Sequence, residues 1–121
     1  MKYALLCYES AAAFAAREDP NKSGAYWDSW MAYGQALRQA GVFVEGAGFL
    51  PPDKGTSVRI KNDKRTVHDG PYAESKEQLG GYYVIDVADL DAALSWAAKA
   101  PSSSDGTTEV RPLLPPRRAA K

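Results

Sequence analysis

Apolar side chains along the chain fall into short runs that predict strands. Residues 2–9 and 82–87 carry apolar side chains on both faces, a pattern typical of strands in the middle of a sheet. Shorter runs predict further strands over 42–44, 56–61, 65–68 and 108–113. Asn62 and Asp63 have the chemistry of a tight turn, so the strands on either side of them are expected to form a β-hairpin.

Apolar positions at helical spacing predict two helices. Between Ser23, a candidate N-cap, and Gly41, a C-terminal stop, aromatic and aliphatic residues recur on one face and predict a helix over 24–40. Asp89 is the candidate N-cap of a second helix over 90–99, which also has an apolar face. Each helix can therefore pack against a sheet.

The predicted elements follow in the order strand, helix, strand, hairpin, strand, helix, strand. Without the hairpin, this is the ferredoxin-like βαββαβ arrangement of an α+β domain. Two helices cover only one face of the sheet, so the second apolar face needs another cover. We expect a homodimer in which two sheets pack face to face, the dimeric α/β-barrel arrangement. The domain is expected to span 1–114, and the basic segment 115–121 to be a flexible tail.

Composition excludes several classes of function. Fifteen basic and fifteen acidic side chains cancel, so the chain lacks the basic excess of a protein that binds nucleic acid directly. Cys7 is the single cysteine and His68 the single histidine, so we expect neither a disulfide within the chain nor a metal site. With no phosphate-binding glycine loop, we expect no cofactor. The N-terminal apolar run is too short to span a membrane, and we expect a cytoplasmic protein.

Charge and turn chemistry concentrate between His68 and Tyr83. Grouped carboxylates near a lysine can hold a proton at intermediate pKa, as general acid–base catalysis requires, and arginines can bind an anionic substrate. The predicted catalytic residues are Asp69 and His68. The predicted substrate-binding residues are Arg59, Tyr72, Glu74, Lys76 and Arg111.

His68 and Asp69 are adjacent, which argues against a simple catalytic dyad. Neighbouring side chains on a strand point to opposite faces, so the two meet only if the chain turns between them. Asp69 also suits a turn ahead of Gly70, and His68 suits an ordinary strand position. Both interpretations stay open, with Asp69 favoured over His68 as the acid/base.

The segment from Asp69 to Val87 reads DGPYAESKEQLGGYYVIDV. It resembles the signature DGPFAETKEQLGGFYLIDV of the DGPF family of YCII-related proteins, with Tyr72 in place of Phe and Ser75 in place of Thr. The resemblance extends over nearly the whole chain, from the opening KYALLCYE to the closing strand EVRPL. It implies a ferredoxin-like fold and a dimeric α/β barrel.

The resemblance also implies candidate functions. The wider YCII-like group includes a dehydrochlorinase-type enzyme with a proposed site centred on a histidine and an aspartate, and that aspartate corresponds to Asp69. In the wider group the histidine need not precede the aspartate directly, so His68 does not follow from the resemblance. Some relatives occur near, or fused to, extracytoplasmic-function sigma factors, which implies a regulatory partner.

Three hypotheses about function remain open at this point. The first is a cofactor-independent lyase or isomerase that moves protons on a small molecule, with Asp69 as acid/base and Arg59 or Arg111 as substrate clamp. The second is a non-catalytic dimeric module that binds a small ligand or a sigma factor. In the third, the DGPY segment is architectural, because its turn and paired glycines let the hairpin pass close to another strand or subunit.

Overall fold

The computed structural model of the protein describes residues 1–71, 73 and 75–117. The elements in chain order are β1 (Lys2–Ser10), α1 (Ala11–Ala16), α2 (Ser23–Gln39), β2 (Phe43–Gly48), a 3₁₀ turn (Pro52–Lys54), β3 (Thr56–Lys61), β4 (Lys64–Asp69), β5 (Glu77–Asp86), α3 (Leu90–Lys99), α4 (Ser102–Asp105) and β6 (Thr107–Pro112). Within these ranges no helix is both long and apolar enough to cross a membrane.

The main sheet has four antiparallel strands in the order β2-β5-β1-β6. The two strands that the sequence makes apolar on both faces, β1 and β5, therefore lie in the middle, as predicted. This mixed α+β layout is compatible with the ferredoxin-like arrangement. The dimeric barrel built on it stays a prediction.

The core lies between the sheet and the helices. Along β1 the side chains alternate, so that Tyr3, Leu5 and Cys7 are buried and the intervening residues are half-buried. Leu5, Leu37 of α2 and Ile85 of β5 are fully buried, and each contributes about 2 kcal/mol of hydrophobic stabilisation. The sheet thus packs its helix-side face against α2 and α3.

Local hydrogen bonds and backbone conformation determine where the helices begin and end. Asp89 caps α3 as predicted, because its carboxylate accepts from the backbone N–H of Ala92 at 2.9 Å. Gly41, with φ of 74°, follows α2 as its predicted stop. The prediction of Ser23 as N-cap is wrong. Its N–H already donates to the carbonyl oxygen of Asp19 at 2.8 Å, so Ser23 is the first residue of α2.

No helix within the described residues covers the other face of the main sheet. Ala4, Leu6 and Tyr8 of β1 and Tyr82 of β5 lie half-buried on this face. Tyr8 donates to Glu109 at 3.3 Å and Tyr82 donates to Glu45 at 3.0 Å, so polar groups border the apolar centre. We call this surface the open sheet face.

β3 and β4 form a separate two-stranded sheet, the hairpin, inserted where it was predicted. Asn62 and Asp63 have φ of 52° and 63°, the left-handed conformations that a two-residue hairpin turn requires. At its base the N–H of Gly70 donates to the carbonyl oxygen of Gly55 at 2.6 Å. The backbones of β3 and β4 thus pair within the hairpin, as a sheet separate from the main one.

Candidate functional site

A cleft of about 240 Å³ lies between α2 and the main sheet. Its floor contains four glycines from β2 and β5: Gly46, Gly48, Gly80 and Gly81. Gly48 pairs with Gly81, and Gly81 pairs with Cys7 of β1, so three neighbouring strands expose little or no side chain toward the helix. The cleft exists because the floor lacks the side chains that would fill it.

Aromatic rings form the walls of the cleft. Trp30 of α2 stacks on Tyr83 of β5 with ring centroids 6.3 Å apart and planes 20° apart. Phe43 meets the same tyrosine edge to face, with centroids 6.2 Å apart. Trp27 of α2 completes the aromatic lining. Such surfaces favour a flat, apolar ring over a flexible polar chain.

Arg38 supplies a positive charge at the cleft. Its guanidinium carbon lies 4.2 Å from the ring centroid of Phe43, within cation–π range. Arg38 is exposed, and it forms no ion pair with a carboxylate of the described residues. Burial raises the pKa of the Tyr83 hydroxyl, a rise that the positive charge of Arg38 opposes. The Arg38 donors are thus placed to bind an anion.

The end of the cleft toward α1 contains a buried polar network. Glu9 of β1 and Arg17, after α1, form an ion pair with an N–O distance of 2.9 Å, and their side chains are only 4% and 8% exposed. The Arg17 Nε–H donates to the Tyr26 hydroxyl at 2.9 Å, and that hydroxyl donates to Glu9. Arg17 also donates to the carbonyl oxygens of Phe49 and Gly80. The network ties β1, α2 and the strand ends together.

The paired glycines Gly80 and Gly81 make this network possible. The register between β1 and β5 shifts at Cys7, which leaves Gly80 as the extra residue of a β-bulge. A Cβ at Gly80 would overlap the carboxylate of Glu9, and one at Gly81 would lie 2.9 Å from the carbonyl oxygen of Ala47. The glycine pair therefore admits the Glu9 carboxylate on one side and strand β2 on the other.

The protonation of the cleft side chains limits their chemistry. Burial, reinforced by the hydrogen bond to Glu9, raises the pKa of Tyr26 to about 12. Burial likewise raises the pKa of the Cys7 thiol to about 11. Both groups stay protonated near neutral pH, so Cys7 is not an activated nucleophile. The cleft can therefore bind a ligand through Arg38 and the aromatic rings.

The structure does not bring the sequence-predicted site residues into this cleft. His68 and Asp69 are exposed on β4, and they alternate faces, as strand geometry requires. Arg59 is exposed on β3, and Lys76 is exposed just before β5. The expected partial burial of Asp69 is absent in the single chain, and its catalytic role stays a prediction.

The remaining predicted residues lie elsewhere. Arg111 is on β6, where its guanidinium pairs with Glu109 at 2.5 Å rather than with a residue of the hairpin. Tyr72 and Glu74 lie outside the described residues. Among the residues described, no three His, Cys, Asp or Glu side chains form a group that could hold a metal ion.

Sequence reasoning missed the residues that line the cleft, although Glu9 leaves a signal. It continues the buried alternation of Tyr3, Leu5 and Cys7, so a charged residue stands on the core face of a strand. A buried carboxylate at such a position requires a buried partner. Arg17 and Arg38 leave no comparable local signal, because only the fold brings them to the cleft.

A solved structure of the same fold binds a flat ring. This is 5-chloro-2-hydroxyhydroquinone dehydrochlorinase of Burkholderia phenoliruptrix AC1100 in complex with 2,5-dihydroxybenzoquinone, which superposes with a TM-score of 0.54 at 14% sequence identity over 94% of each chain. At that identity the likeness shows a shared fold.

A comparison by sequence identifies the family. An uncharacterized protein of Rhizobium meliloti (strain 1021) is 36% identical over 117 residues, which cover 93% of this chain and 92% of that protein. The model of the YCII-related domain matches residues 1–117. The chain therefore belongs to the family of proteins with a YCII-related domain.

Proposed function

We propose that this YCII-related protein binds a small, flat, anionic organic molecule in the cleft between α2 and the main sheet. The observation that carries the proposal is the pairing of the exposed Arg38 guanidinium with a glycine floor and aromatic walls. The volume of about 240 Å³ suits a single substituted ring, since a cavity of roughly 150 Å³ accepts benzene. Stacking would orient the ring, and Arg38 would bind its charged edge.

The ligand class is supported by the structural neighbour. Its ligand, 2,5-dihydroxybenzoquinone, is a flat ring with acidic hydroxyl groups, which matches the chemistry of this cleft. The two proteins share only the fold, so the support comes from the match between the shape and charge of that ligand and the lining of this cleft.

Calorimetric titration with 2,5-dihydroxybenzoquinone tests the proposal. We expect the wild type to bind it and Arg38→Met to bind it about tenfold to a hundredfold more weakly, because a hydrogen bond to a charged group is worth about 1.5–3 kcal/mol. Arg117→Met is the matched control, since Arg117 is an exposed arginine outside the cleft lining. No binding by the wild type, or equal affinities for Arg38→Met and wild type, would contradict the proposal.

A second candidate function is a cofactor-independent lyase or isomerase acting on the bound ring. It is favoured by the dehydrochlorinase activity in the name of the structural neighbour. Asp69 is the acid/base predicted from the sequence, whereas Tyr26, whose hydroxyl donates to the Glu9 carboxylate, lines the cleft. If Asp69→Asn retains turnover of a ring substrate and Tyr26→Phe loses it, proton transfer takes place in the cleft. If Tyr26→Phe retains turnover and Asp69→Asn loses it, proton transfer takes place at the hairpin.

We further propose that the chain belongs to the DGPF branch of its family and forms a homodimer. The signature from Asp69 to Val87 supports placing the chain in the DGPF branch of the YCII-related proteins. The open sheet face supports a homodimer, because its apolar centre and polar border have the anatomy of a subunit interface. A monomeric mass in sedimentation across the micromolar range would rule the homodimer out. The sigma-factor association stays a prediction from the resemblance.

A further inference from the structure

The hairpin has one apolar face that the rest of the described chain leaves exposed. Val58 and Val67 lie directly opposite each other across β3 and β4, and Ile60 lies on the same face. Their side chains are 61%, 57% and 73% exposed. A cluster of β-branched side chains of this kind is normally packed against another surface.

A hairpin of this size cannot stabilise itself. A two-stranded sheet is marginally stable at best in water, and it needs a third strand or a packing surface to persist. The tight turn at Asn62 and Asp63 fixes the strand register but buries no apolar area. The apolar face is thus the part of the hairpin that lacks a partner.

The charges on the apolar face indicate what the partner is. Arg65 lies opposite Ile60 near the turn, and Asp69 lies opposite Thr56 at the base. The two charged residues stand four positions apart on one strand, about 13 Å at the usual rise per residue, so they are too far apart to pair with each other. One face therefore carries a cation at one end, an anion at the other, and valines between them.

Such a face is complementary to itself. A two-fold axis that crosses the strands at the Val58–Val67 pair would place each Arg65 opposite Asp69 of a second copy, at both ends of the contact. The valines would pack at the centre. A face that binds an unrelated protein has no need of charges placed symmetrically about such an axis.

We propose that the hairpin packs its apolar face, antiparallel and about a two-fold axis, against the same face of a second copy of this chain. Two ion pairs between Arg65 and Asp69 fix the register of the contact, and the six branched side chains form its core. This gives Asp69 a role at an interface between subunits. The contact is smaller than the roughly 1,600 Å² of a standard interface, so it rests on the proposed homodimer for the remaining area.

Charge reversal tests the proposal, with self-association measured by sedimentation velocity over a range of concentrations. Arg65→Asp and Asp69→Arg each put like charges opposite each other, and each is expected to weaken self-association by about tenfold or more. The double variant restores both pairs and should recover the affinity of the wild type. An equimolar mixture of the two single variants should also recover it, since each chain then complements the other.

The remaining outcomes overturn the proposal. Single variants that associate as tightly as the wild type, or weakening that neither the double variant nor the mixture reverses, would show that the face meets another surface. Far-UV circular dichroism of each variant confirms that the fold is retained. Leu6→Arg on the open sheet face separates the two proposals: it should weaken the homodimer, and no charge change on the hairpin should restore it.

Discussion

The cleft and the hairpin differ in how far their charged and apolar side chains are buried and paired. Around the cleft the charges of Glu9 and Arg17 are buried, paired and fully hydrogen-bonded, and among the described residues no buried side-chain nitrogen or oxygen lacks a partner. On the hairpin both the charged residues and the valines are exposed. One chain thus supplies partners for the charges around the cleft, whereas its described residues supply no cover for the valines of the hairpin.

Breaking the buried ion pair should produce the largest loss of stability. Glu9→Gln leaves the Arg17 guanidinium buried without a counter-charge, and we expect it to lower the free energy of unfolding by about 3–4 kcal/mol. Glu109→Gln is the matched control, because it removes the carboxylate from the exposed pair with Arg111 and should have no measurable effect. Urea denaturation measures both. Equal losses would mean that the Glu9 network is no more important than a surface pair.

Gly80→Ala should have the next largest effect. The added Cβ would overlap the Glu9 carboxylate, so either that carboxylate or strand β5 must shift, at a cost of about 2 kcal/mol. At Gly24 in the first turn of α2 the same change meets no atom within 4 Å, and it should be neutral or stabilising by up to about 1 kcal/mol. Urea denaturation of the two alanine variants compares them. A Gly80→Ala protein as stable as the wild type would contradict the conclusion that Gly80 leaves room for the Glu9 carboxylate.

Alkaline pH should reveal the tyrosine of the network. The pKa of Tyr26 is raised to about 12 in the folded protein from about 10 in an unfolded chain, so the stability it contributes is complete below pH 10 and is lost as the pH rises from 10 to 12. Tyr26→Phe should therefore lose stability less steeply than the wild type over that range. The urea midpoint at several pH values measures the slope. Parallel slopes would mean that Tyr26 titrates normally.

The smallest expected effect is a change in amide hydrogen exchange that is confined to the hairpin. Because β3 and β4 form a two-stranded sheet separate from the main one, we expect the backbone amides of the hairpin to exchange with solvent faster than those of β1 and β5. Raising the protein concentration should slow exchange in the hairpin if a second copy covers it. Hydrogen exchange followed by mass spectrometry reports both. Exchange that is slow at high dilution would show that one chain already protects the hairpin.

The fold could be predicted from the sequence largely because its signals are local. The double-faced apolar runs identify β1 and β5 as central strands, Asn62 and Asp63 specify the hairpin turn, and Asp89 specifies the start of α3. Each of these depends on residues a few positions apart. By contrast, no local signal in the sequence identifies what covers the open sheet face, so the dimer stays a prediction.

The cleft could not be predicted because its residues are distant in the sequence. Glu9, Arg17 and Arg38 come from different elements and meet only in the folded chain. The glycine pair predicts the close approach of another strand or subunit, but it does not predict the Glu9 carboxylate beside Gly80. The charged cluster after His68 was a more visible signal, and of its described residues Asp69 and Lys76 lie exposed and outside the cleft.

We expect the ligand to bind in the cleft and not on the hairpin. Amide chemical shifts followed by NMR during titration with 2,5-dihydroxybenzoquinone test it most directly. We expect the largest shifts at the floor of the cleft, at Gly46, Gly48, Gly80 and Gly81. Shifts confined to residues 56–69 of the hairpin would contradict the account and return the site to Asp69.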